Sequence, residues 1–213
     1  MVADITTSTK VVFPQMAPMY WQNPEEVNPA CFARASSSVP FFFQPLEVSG
    51  VSGIEEGRSK WAKLASYDSC LPEKVLFTDG GLLSSFPVEL FKRIGVPRAP
   101  TLGAQFGSCR RSVNKTSHIL EYLQSLYGSQ LHYMSYDFIL QNPLYQRLVA
   151  HISTANYFWL DFNLSPEDKL CLFREGVKAG YAFLESFNWP QYKALRAAEQ
   201  EMIKTVKHIA KDA

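Results

Sequence analysis

Val75-Leu76-Phe77-Thr78-Asp79-Gly80-Gly81-Leu82-Leu83-Ser84-Ser85-Phe86-Pro87 is the stretch on which the fold turns. Lys74 to Phe77 reads as a short apolar strand that runs straight into Asp79-Gly80-Gly81. In an open α/β sheet, ligands bind beyond the carboxyl ends of the strands, and this reading puts Asp79 at such an end. Gly80 and Gly81 allow backbone conformations and close approaches that other residues cannot make. A carboxylate held there can orient or deprotonate a neighbouring group. Taken alone, Asp-Gly-Gly fits a chemically silent Asp-Gly turn better, so the flanking sequence has to decide.

Upstream, Val2 to Ile5 and Lys10 to Phe13 flank the turn-prone Thr6-Thr7-Ser8-Thr9 and predict a hairpin. Asn28-Pro29 opens a helix from Pro29 to about Ser37, with proline at the first helical position. Pro45 to Gly57 reads as a Gly/Ser-rich loop, and a helix is expected over Lys60 to Ser66. Downstream, a helix is expected from Pro87 to Ile94, closed by Gly95. Thr101 to Phe106 is a strand candidate. Helices are expected over Ser117 to Tyr127 and from Asn142-Pro143 to Ile152, with a strand over Tyr157 to Phe162. Ser165-Pro166-Glu167-Asp168 supplies an N-cap, a proline at N1 and an acid at N3. Leu170, Phe173, Val177 and Leu184 then repeat at helical spacing. A last amphipathic helix, about Gln191 to Ala210, carries its stripe through Leu195, Met202, Val206 and Ile209. Strands mixed with helices predict a layered α/β fold, and 213 residues fit one domain better than two.

The composition excludes several classes. Hydrophobic residues make up 46% and charged ones 19%, which is incompatible with a disordered chain. Twenty-one basic residues against 20 acidic ones leave a net charge of +1, where a dedicated nucleic-acid binder would carry a basic excess. The short basic run of Arg110, Arg111 and Lys115 reads as a solvated loop. The N-terminal residues lack the features of a signal peptide, and no apolar run is long enough to span a bilayer, so a cytoplasmic location is expected. Cys31, Cys70, Cys109 and Cys171 form no CxxC pair, and none of His118, His132, His151 and His208 is four residues from another. No metal site is expected from them.

Read together, the flanks resemble the patatin-like phospholipase family. Asp79-Gly80-Gly81-Leu82-Leu83-Ser84-Ser85-Phe86-Pro87 is similar to the family's strand-ending DGG or DGA, followed by an apolar pair, small or amide residues, and an aromatic-Pro. The family often has Asn where this chain has Ser84-Ser85. Ala33-Arg34-Ala35-Ser36-Ser37-Ser38-Val39-Pro40-Phe41-Phe42-Phe43-Gln44-Pro45 looks like its "ASSAIPxFFxP" segment. Ala3-Asp4-Ile5-Thr6-Thr7 with Val11-Val12-Phe13 is similar to its "TDLxTG…VVF" hairpin. Leu160-Asp161-Phe162-Asn163-Leu164-Ser165 and Leu172 to Gly176 look like its closing "DFxLSxExxxxLxxxG" element. The four blocks stand in the family's order and cover most of the chain.

The resemblance implies a three-layer α/β/α sheet, present here in part, with a helical C-terminal region. It makes residues 1–213 the C-terminal portion of one patatin-like domain. It also implies hydrolysis of acyl esters in phospholipids or related lipids by a Ser–Asp dyad, with Asp79 as the dyad's base or orienting group. Gly80, Gly81, Ser36 and Pro40 would shape the site. No cofactor is implied, and the partners would be an acyl lipid and a lipid surface rather than a nucleic acid. The family's nucleophile lies in GxSxG, and this chain has no such motif: Gly50-Val51-Ser52-Gly53 is one residue short, and Gly107-Ser108-Cys109 lacks the second glycine. The chain alone is therefore expected to be inactive, and to associate through uncovered sheet edges. The alternative is a non-catalytic relative that binds lipid or protein.

Overall fold

The computed structural model describes residues 1–84, 86–91, 93, 95–106, 116–119, 121–123, 125–130, 142–154, 157 and 161–209. The chain divides into two compact units, Met1–Phe86 with Thr116–Ser135 and Pro87–Lys115 with Tyr136–Ala213. Phe158, Trp159 and Leu160 of the predicted strand at 157–162, the basic run of Arg110, Arg111 and Lys115, and Ser85, Cys109 and His132 lie outside the described residues.

The first unit is built on a four-stranded antiparallel sheet in the order β2-β1-β4-β3. β1 (Val2–Asp4) and β2 (Thr9–Val11) form the expected hairpin, and β4 (Lys74–Asp79) pairs with β1 so that Val2 faces Asp79 and Asp4 faces Phe77. β3 (Leu46–Ser49) falls inside the segment read as a loop. Only Val48 of its four residues is buried, too short an alternation to announce a strand, and its partner β4 lies far downstream. A cross-strand ion pair at 2.9 Å, Lys74 to Glu47, ties β3 to β4 on the exposed side.

One face of this sheet is closed by aromatic packing. Val2, Val11, Val75 and Phe77 are buried together with Met19, Tyr20 and Trp61. The Tyr20 ring meets Phe77 at 4.7 Å and Trp61 at 5.1 Å, and Trp61 Nε1 donates to the Met19 carbonyl at 3.0 Å. Aromatic pairs of this geometry stabilise by about 0.5–1.5 kcal/mol beyond their buried area. α1 (Pro29–Ser36) starts as predicted, its Asn28 N-cap accepting from Ala30 N at 2.9 Å, and packs on β4. α2 (Gly57–Ala65) begins three residues before the expected helix and contributes Trp61. Residues 121–123 and 125–130 are helical, continuing past the predicted end at Tyr127.

The second unit holds a two-stranded parallel sheet, β5 (Gly103–Phe106) with β6 (Val149–Ile152). β6 corrects the helix expected over 142–152. Helix α3 covers only Pro143–Gln146, after which Val149 and Ile152 are taken into pairing with β5. The helix expected over 87–94 appears as a 3-10 turn over Val88–Phe91. α4 (Pro166–Ser186) begins on the predicted cap, with Ser165 Oγ accepting from Asp168 N at 3.1 Å and donating to Asp168 Oδ2 at 2.7 Å. α5 spans Trp189–Ile209.

The stripe of α4 does not form the core that the periodicity suggests, and along α5 Leu195 is half-buried. Leu170, Phe173, Val177 and Leu184 are all exposed, as is Met202. Among the described side chains of α5, Tyr192 and Arg196 are the buried ones. Among the described residues, the molecule is thus mixed α/β with two small sheets. No helix in it is long and apolar enough to cross a membrane.

Candidate functional site around Asp79

The site sits where β4 ends. Asp79 N donates to the Ser38 carbonyl at 2.9 Å, fixing the strand's last residue against the end of α1. Ser38 is itself buried, with its Oγ donating to the Arg34 carbonyl at 2.8 Å. Beyond Asp79 the chain bends into a 3-10 turn, Gly80–Leu82, of which Asp79 is the N-cap. Asp79 Oδ1 accepts from Gly81 N at 2.7 Å, and among the described residues Oδ2 has no hydrogen-bond partner.

Gly80 is required by space. A Cβ at this position would lie 2.3 Å from the Met1 carbonyl oxygen and 2.7 Å from the Met1 carbonyl carbon, far inside contact distance and against backbone that cannot swing away. The absence of a side chain is what lets the start of β1 lie over the turn. Gly81 contributes the amide that holds the carboxylate. Leu83 N and Ser84 N both donate back to the Gly80 carbonyl, which closes the turn.

Burial acts first on the Asp79 carboxyl and pushes its pKa above the ordinary value. The Gly81 amide pulls it partly back. A half-buried carboxylate with one oxygen fixed, one oxygen open and a raised pKa is suited to accept a proton.

Two further residues join this turn from the helical stretch before residue 131. Gln130 Nε2 donates to the Leu82 carbonyl at 2.6 Å. One turn earlier, the Tyr127 hydroxyl is pushed up to about 12, first by burial and then by the negative charge of Asp79. The phenol therefore stands within electrostatic reach of the carboxylate as a neutral donor. Neither residue is flagged by the sequence, because the contact spans 48 positions and no local pattern marks it.

The residues expected to shape the site are placed unevenly. Gly80 and Gly81 are at its centre. Ser36 is the last residue of α1, and the link from that helix to Asp79 is made two residues later by Ser38. Pro40 follows, half-buried, before the exposed Phe41, Phe42 and Phe43. The position of Asp79 also differs from the parallel-sheet rule invoked for it. β4 is antiparallel to both neighbours, so the site is made by a strand end, a glycine turn and a helix end rather than by a crevice between parallel strands. Among the described residues, no group of three His, Cys, Asp or Glu side chains could hold a metal ion.

No family model matches the chain, and no solved structure matches it. Over 189 residues it is 23% identical to "Uncharacterized protein YqhO" of Bacillus subtilis (strain 168), an alignment covering 88% of this chain and 57% of that protein. The chain thus spans little more than half the length of the curated relative that it matches.

Proposed function

We propose that this chain supplies the aspartate half of an acyl-ester hydrolase site of patatin type, with Asp79 as the base or orienting group of a Ser–Asp dyad. The observation that carries the reading is the state of Asp79: one carboxylate oxygen is fixed by Gly81 N, the other has no hydrogen-bond partner among the described residues, and burial raises its pKa. A serine hydroxyl is a weak nucleophile until a positioned base takes its proton, and such a carboxylate can do that at neutral pH. Tyr127, neutral beside Asp79, would stabilise the same proton network. The substrate would be a phospholipid or another acyl lipid presented at a lipid surface, and the chemistry needs no cofactor.

On this reading the nucleophile and the oxyanion donors come from polypeptide outside residues 1–213. The alignment to a longer relative is consistent with that, as are the exposed apolar stripe of α4 and the two-stranded parallel sheet, a sheet type that is normally covered on both faces. The complete fold would be the three-layer α/β/α sheet. Association through sheet edges would follow when the remainder is missing. The lack of GxSxG in the chain favours a second reading, a non-catalytic relative that binds lipid or protein.

The two readings separate in one experiment. The 213-residue chain should not hydrolyse p-nitrophenyl butyrate. The protein recovered from its own cells by a C-terminal tag should, and a fluorophosphonate should label a serine outside these residues. No turnover and no labelling in either preparation would leave the non-catalytic reading standing.

A further inference from the structure

The second unit contains a pocket of about 520 Å³, set between the segment Phe91–Thr101 and the helices α3 and α5. This lies within the size range of small-molecule sites, about 300–1,000 Å³. Its apolar wall is well buried: Tyr145, Leu148 and Tyr192 are at most 5% exposed. Its charged wall consists of Arg93, Arg98 and Arg196.

Arg196 is 4% exposed and held rigidly. Its Nη2 donates to the Arg93 carbonyl at 2.9 Å and to the Gly95 carbonyl at 3.1 Å, while Nη1 pairs with Glu199. Nε is buried with no partner among the described residues. Among those residues, neither the Arg93 nor the Arg98 side chain has an ion-pair partner, and both are exposed. Three guanidinium groups therefore meet one carboxylate around a half-enclosed, partly apolar cavity. The uncompensated charge faces a space into which an oxyanion fits, and guanidinium forks match carboxylate and phosphate oxygens two at a time.

We infer that this pocket binds a small organic anion, its carboxylate or phosphate group held by Arg93 and Arg98 beside Arg196 and its apolar portion lying against Tyr145, Leu148 and Tyr192. The site belongs to the second unit and does not depend on any role for Asp79. Arg196 is the fixed member, anchoring the loop that carries Arg93. Arg93 and Arg98 are the adaptable members that close on the anion.

The test is calorimetric titration of the 213-residue chain with sodium decanoate and with inorganic phosphate, each at constant ionic strength. The Arg93→Gln/Arg98→Gln double variant is run in parallel. It spares Arg196, so its circular dichroism should match the parent. At least one probe should bind, and the double variant should bind it about a hundredfold more weakly. Binding of decanoate alone would identify a carboxylate with an apolar tail, and binding of phosphate alone a phosphorylated ligand. Failure of both probes to bind, or equal binding by parent and double variant, would overturn the proposal.

Discussion

The two ends of the β1–β4 ladder each carry an aspartate, and the two side chains live in opposite circumstances. Asp4, at the end of β1, is wholly buried. Its Oδ1 accepts from Thr6 N at 2.8 Å and Thr7 N at 3.3 Å, and its Oδ2 accepts from Thr7 Oγ1 at 2.7 Å and Tyr20 OH at 3.1 Å. Asp79, at the end of β4, accepts from one amide and keeps an oxygen open. Burial with four donors makes a carboxylate a structural knot that ties the hairpin turn to the aromatic core. Partial burial with one donor leaves one Asp79 oxygen with no hydrogen-bond partner among the described residues. The residue type is shared; the two carboxylates differ in burial and in the count of donors that hold them.

The sharpest way to break this contrast is Asp4→Ala. It strands the Tyr20 hydroxyl beside a buried vacancy and releases the Thr6 and Thr7 amides of the hairpin turn, so urea denaturation should show a loss of about 3–5 kcal/mol. A loss below 1 kcal/mol would mean that the network is not structural. Next comes Gly80→Ala, where the added methyl meets the Met1 carbonyl. Thermal unfolding should report a destabilisation of about 1–3 kcal/mol, and an unchanged midpoint would show that β1 does not lie where it is described. Tyr20→Phe removes a single donor from Asp4 and keeps the ring, for an expected cost of about 1 kcal/mol.

The smallest effect belongs to Asp79→Asn. Asparagine can still accept from Gly81 N, and it removes a charge that burial disfavours. The variant should be at least as stable as the parent at pH 7. The sign follows from the raised pKa: the parent's penalty exists only while Asp79 is ionised. The advantage of the variant should therefore shrink as pH falls through the parent's carboxyl titration. Paired denaturation curves at pH 7 and pH 4 check this, and a clearly destabilised variant at pH 7 would put Asp79 in the same structural class as Asp4.

How far the sequence could be read depended on whether the decisive interactions were local. The Asn28 and Ser165 caps and the β4-to-glycine turn rest on neighbours within four residues and the hairpin on pairs at most nine apart, and each stands as expected. β3 was hidden because it owes its existence to pairing with β4, and β6 because it owes its existence to pairing with β5. Helical periodicity in α4 located the helix correctly but not its buried face, since an apolar stripe says nothing of whether a partner covers it. At the site, Asp79, Gly80 and Gly81 were legible in one motif. Ser38, Tyr127 and Gln130 reach the turn only through the folded chain. The role of Asp4 was equally invisible, because Tyr20 is brought to it across 16 residues.

The most direct measurement compares ester hydrolysis by the tagged protein, recovered from its own cells, with Asp79→Ala and with the parent sequence. As the base or orienting group of a dyad, Asp79 should account for a rate loss of at least about a hundredfold, with the circular dichroism spectrum unchanged. Hydrolysis that persists within twofold of the parent in Asp79→Ala would contradict the account.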